Sequence, residues 1–147
     1  MRRLSLGIAA LAVGIGSTVA VATEDPIATR KHLMQANGAA MGAAQAMIKG
    51  EVPFNPAVAL SALKTFNAVA YSFGDYFPPG SDKGDTSASP RIWEDMDDFQ
   101  GDLAKVREAS EAAIANPPKD LQSFQTAIGP IGQECQSCHE EFRLKRD

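Results

Sequence analysis

Residues 121–143 read LQSFQTAIGPIGQECQSCHEEFR. With Asp120 as a helix start, this stretch predicts a helix from about residue 120 to residue 146. Gly129 and Pro130 fall inside it. A proline removes one backbone hydrogen bond and crowds the preceding turn, so a bend is expected there and not two separate helices. Cys135, Cys138 and His139 then stand at i, i+3 and i+4, which brings their side chains out on one face of that helix.

Working outward, helix signals continue through the chain, and no segment shows the period-two alternation of a strand. A first helix is expected over 26–49, opened by Pro26 and stopped at Gly50. Its inward face carries Ile27, Arg30, Met34, Asn37, Gly38, Met41, Gln45 and Ile48, partly polar and notched at the glycine. Asn55 and Pro56 open a second helix to about residue 73, with Val58, Leu60, Leu63, Phe66, Val69 and Ala70 as its apolar stripe. Residues 74–90 are rich in proline, glycine, serine and aspartate, and read as a long crossover. Ser89 and Pro90 open a third helix, with Ile92, Trp93, Met96, Phe99, Leu103, Val106 and Ala113 recurring every few residues until Asn116-Pro117-Pro118. The expected fold is all-α, an antiparallel four-helix bundle with a long loop between helices two and three.

Arg2 and Arg3 precede a nearly charge-free stretch rich in alanine, glycine and leucine, ending Ala20-Val21-Ala22. That is the form of a secretory signal peptide cleaved near Ala22, with 23–147 as one mature domain of the periplasm. So much glycine and alanine makes the stretch a poor membrane anchor, and no stable insertion is expected after cleavage. Of 14 basic residues the cleaved segment takes two, leaving 12 against 18 acidic residues, a charge of −6. An acidic domain without a basic tract excludes nucleic acid as a natural partner.

The cysteines carry the chemistry. Two thiols in an oxidising compartment could pair as a disulfide, but Cys135-Gln136-Ser137-Cys138-His139 is the attachment signature of c-type haem. The thiols can add to two vinyl groups of one macrocycle lying against the helix face, while the adjacent imidazole reaches its iron. Export agrees, because attachment of this kind takes place outside the bacterial cytoplasm. A thioredoxin-like dithiol belongs where a strand meets a helix, near a βαβ pattern that is missing here. Structural zinc needs four ligands, and His32 is the only further histidine. The expected cofactor is one covalent haem c.

A signature of this kind near the end of a four-helix chain resembles the class II cytochromes c, the family of cytochrome c-prime. The resemblance spans the mature chain: Arg30 early in helix one, Lys49-Gly50 with Pro53-Phe54, Pro90-Arg91-Ile92-Trp93 at helix three, and Cys135 to His139 followed by Phe142-Arg143. The run from Lys31 to Gly38, with Ile128-Gly129-Pro130-Ile131-Gly132, is most similar to the low-spin cytochrome c-556 branch. It implies His139 as the proximal iron ligand and Met34, four residues after Arg30, as the distal one. A thioether opposite a histidine raises the reduction potential and keeps the coordination sphere fixed during electron transfer. Met34 as mere core, or His32 as sixth ligand, are the competing readings. Met41, Met47 and Met96 are less suited by position. Arg30, Trp93 and Arg143 are expected as further haem contacts.

The resemblance implies a one-electron carrier between periplasmic redox proteins and no enzyme, as a monomer or homodimer. The other possibility it carries is a high-spin, cytochrome c-prime-like protein that binds nitric oxide or carbon monoxide.

Overall fold

The computed structural model describes residues 25–145, so the expected signal peptide lies outside the described residues. Helix α1 spans Pro26–Ile48 and α2 Pro56–Ser72, followed by a 3-10 turn at Phe73–Tyr76. A single turn, α3, covers Arg91–Glu94, then come α4 at Met96–Ala115 and α5 at Leu121–Phe142. The long helices start where short polar side chains satisfy free backbone donors. Asp25 accepts from the amides of Ile27 and Ala28, Asn55 from those of Ala57 and Val58, and Asp120 from that of Ser123. Lys49 caps the end of α1, and Gly50 follows at φ 73°, a left-handed conformation that glycine adopts without steric penalty.

Two expected boundaries are corrected. The third helix is broken at Asp95, whose backbone sits at φ −138°, ψ 68° and whose carboxylate accepts from the Asp98 amide. Aspartate competes with the helix by capping, so α3 ends and α4 begins at this residue. The fourth helix stops at Phe142 and does not run on to residue 146. Arg143 is extended and pairs with Ala88 in an isolated antiparallel bridge. The Ser89 amide donates to the Phe142 carbonyl at 2.9 Å and the Leu144 amide to Ser87 at 2.8 Å. Pro130 lies within α5, which continues through it as one helix.

Helix α2 packs between α1 and α4, and α4 between α2 and α5, while α1 and α5 meet only sparingly. The bundle therefore gapes along one side. The core divides in two. At one end Ala44, Met47, Ala59, Leu63, Phe66, Phe124 and Ile131 close tightly. Toward the other end lies a cluster built on Phe73, Phe77, Ile92, Phe99, Leu103 and Phe142. Its rings meet edge to face, with Phe77 and Phe99 at 4.8 Å and Phe99 and Phe142 at 5.3 Å between centroids. The second stripe is shifted from expectation. Val58 is exposed, while Ala59 and Ala62 are buried, because small side chains let α2 approach its neighbours closely. No helix among the described residues is long and apolar enough to cross a membrane.

Candidate functional site

The gap between α1 and α5 is a cavity of about 910 Å³, near the upper end for small-molecule and cofactor pockets. Seven of the eight residues expected on the inner face of helix one line it: Ile27, Arg30, Met34, Asn37, Gly38, Met41 and Gln45. Across from them α5 contributes Cys135, Cys138 and His139. Phe73, Phe77, Phe99 and Phe142 also line it, so the aromatic cluster forms part of the wall. Ile48, the eighth, packs against the other core instead.

Both cysteines are free and half-buried. Burial pushes the Cys135 thiol above its usual range, and Glu134 adds to the effect. Burial, with Asp102 next in weight, raises the Cys138 thiol to about 12. Both are therefore neutral thiols at physiological pH, unlike the low-pKa thiolates of dithiol redox centres. His139 is an exposed residue at the cavity rim. Even so, the protein around its ring desolvates it enough to lower its pKa, and the Arg143 guanidinium pushes the same way. The neutral imidazole, the form with a free lone pair for a metal, is favoured.

Met34 is half-buried and packs against the aromatic cluster, as Cys138 does from α5. Asn37, one turn further along α1, has a buried Oδ1 without a hydrogen-bond partner. An unsatisfied acceptor in a cavity wall is costly unless an occupant or water meets it. His32 stands elsewhere, exposed in a smaller depression with Asp25, Lys31, Gln35 and Asp85.

Arg30 borders the cavity, but its guanidinium is committed to the crossover. Only 4% of Arg30 is exposed. Nη1 donates to the Tyr76 carbonyl and the Ser81 hydroxyl, both at 3.0 Å, and Nη2 to the Ser81 carbonyl at 2.8 Å and Thr86 Oγ1 at 3.4 Å. The cation also stacks on Phe77 at 4.5 Å. Trp93 is not brought to the cavity. Its indole N–H donates to the Phe77 carbonyl at 3.1 Å and its ring packs on Phe77, which buttresses the crossover from outside. Arg143 does line the cavity, exposed at its mouth.

Sequence reasoning missed the role of the crossover and the presence of Asp102. Thr86, Ser87 and Ala88 form part of the cavity wall. The segment is fastened to α1 through Arg30, four residues before Met34, and to the chain after α5 through Arg143, four residues beyond His139. Nothing in a run of Ser, Asp and Gly announces such pairing. Asp102 is buried in the wall, in the second turn of α4, and bonded to Lys105. Its signal was legible, since it follows Phe99 by three residues and precedes Val106 by four, on the apolar stripe.

The model of one protein family, described as cytochrome C', matches residues 25–143. A cytochrome c-556 of Agrobacterium fabrum is 38% identical over 138 residues, covering 94% of each chain. A cytochrome c' of Rhodopseudomonas palustris is 38% identical over 146 residues, covering 97% of this chain and 99% of its own. The solved structure of cytochrome c' from Rhodopseudomonas palustris superposes with a TM-score of 0.79 at 37% identity, over 84% of this chain and 98% of that one.

Proposed function

Because this chain belongs to the cytochrome c' family, we propose that it is a periplasmic carrier of single electrons, with one haem c that Cys135 and Cys138 would hold through thioethers and whose iron His139 and Met34 would ligate. Residues 1–22 are its export signal. The observation that carries the reading is that Met34 on α1 and the Cys135, Cys138 and His139 face of α5 line one cavity, although their helices barely touch elsewhere.

The residues suit such a group. Two neutral thiols one turn apart can form thioethers, and a neutral imidazole follows directly. The aromatic wall is apolar, and the unsatisfied Asn37 acceptor marks a place in it where an enclosed water would be held. When bound, haem c supplies an iron that cycles between the ferric and ferrous states. The protein holds the ligating side chains on two helices whose spacing is fixed by the crossover, so little needs to move when an electron arrives. Its partners are redox proteins of the same compartment.

A high-spin protein that binds nitric oxide or carbon monoxide is the second reading. It is favoured by the cytochrome c' relative, which matches at the same 38% identity as the cytochrome c-556, and by the packing of Met34 on the aromatic cluster, where it could serve as core alone.

An absorption spectrum of the purified haem protein separates the two. The electron-carrier reading expects sharp α and β bands in the reduced state and a weak far-red sulfur-to-iron band in the oxidised state. Met34→Ala should abolish the far-red band and open the iron to carbon monoxide. A spin state and potential unmoved by that substitution would exclude Met34 as a ligand.

A further inference from the structure

Asp102 is the one buried carboxylate among the described residues, with 5% of its surface exposed. It stands on α4 in the wall of the cavity that also receives Cys135, Cys138 and His139. A carboxylate withdrawn from water is unfavourable unless a counter-charge lies beside it. Lys105 Nζ donates to Asp102 Oδ1 at 2.8 Å. That lysine side chain is 57% exposed, and its ammonium also lies 3.8 Å from Glu134 on α5. One solvated cation is thus shared by two carboxylates, and the group keeps a net charge of −1. Asp102 and Cys138 line the same cavity, so the charge faces the space between α4 and α5.

Taking the cavity to hold haem c, as proposed above, we infer that Asp102 is a charge-compensating residue that lowers the reduction potential of the iron. The oxidised cofactor carries one more positive charge than the reduced one, so a fixed negative charge in a poorly screened wall stabilises it preferentially. The step concerned is addition of one electron from a redox partner to ferric iron, giving ferrous iron, with no bond made or broken and no proton moved. Lys105 opposes the effect by partial neutralisation, and its removal has the opposite sign.

The experiment is a potentiometric titration of purified holoprotein at mildly alkaline pH, comparing wild type with Asp102→Asn and Lys105→Gln. Asp102→Asn keeps shape and an acceptor for Lys105 while deleting the charge. It should favour the reduced form about tenfold, a rise of about 59 mV for one electron. Lys105→Gln should lower the potential. Absorption bands of both variants should match the wild type, which shows intact axial ligation. A purely structural role for Asp102 would not produce opposite signs from two members of one ion pair.

An unmoved potential in Asp102→Asn, shifts of the same sign in both variants, or a changed spin state in Asp102→Asn would overturn the inference. Should Asp102→Asn not accumulate as holoprotein, Lys105→Gln decides alone, by a fall in potential or its absence. Mass measurement of the wild type comes first. A chain without covalent haem overturns the reading of the cavity and this inference with it, whereas haem present with unmoved potentials overturns this inference only.

Discussion

Arg30→Met keeps a long stem beside Phe77 and deletes only the guanidinium, so its effect isolates the fastening of the crossover to α1. The wild-type side chain makes three short hydrogen bonds, two at 3.0 Å and one at 2.8 Å, with a fourth at 3.4 Å that is at the margin. Bonds from a charged donor contribute about 1.5–3 kcal/mol each, and the desolvation of the guanidinium, visible as a lowered pKa, offsets a large part of that sum. The substitution also leaves the carbonyls of Tyr76 and Ser81 without their donor. A net loss of about 3–4 kcal/mol follows, carried mainly by those two carbonyls, since an acceptor left unsatisfied away from water costs about 1–3 kcal/mol. For a domain of this size each kcal/mol lowers the melting temperature by about 3–5 °C. The measurement is thermal and urea unfolding of the holoprotein followed by circular dichroism. Arg30→Lys is the companion variant, because an ammonium keeps the charge but cannot reach two carbonyls and two hydroxyls at once, and it should recover only part of the loss. An Arg30→Met protein within about 1 kcal/mol of wild type, with an unchanged urea slope, would refute the assignment of Arg30 as the fastening of the crossover.

Two further outcomes follow from the ends and middle of α5. Pro130→Ala restores a backbone donor within an unbroken helix at an exposed position and should raise stability, by up to about 3 kcal/mol, in the same urea assay. Asp120 has a pKa held below the ordinary aspartate value, first by the Ser123 hydroxyl and then by the Ser123 amide. A group whose folded pKa is depressed stabilises above its unfolded pKa and loses that contribution as pH falls through the folded value. The stability gap between wild type and Asp120→Ala should therefore be widest near neutrality and narrow on acidification, and a gap independent of pH would contradict the cap.

Much of this architecture was readable in residue order because local signals agree with the tertiary result. Pro26, Asn55-Pro56 and Asp120 mark helix starts that need no distant partner, and the apolar period of α4 survives intact. The inward face of α1, expected to be partly polar and notched at Gly38, borders a cavity, which explains Asn37, Gly38 and Gln45 together. What remained hidden depends on contacts remote in sequence. Arg30 meets Ser81 across 51 positions, and Arg143 pairs with Ala88 although both lie in segments without strand character. Trp93 was expected at the cavity and instead spends its N–H on the Phe77 carbonyl, a partner that only the folded crossover provides. The break at Asp95 was a weak local signal overridden by the longer apolar period. Asp97 and Asp98 in the following turn are its trace.

The crossover fastens to the chain one helical turn before Met34 and one turn after His139, and so works like the bow of a pair of callipers. The jaws are α1 and α5, and their opening is governed by a segment that belongs to neither. An exchange at Ser81 that deletes the hydroxyl accepting from Arg30 acts on a jaw directly.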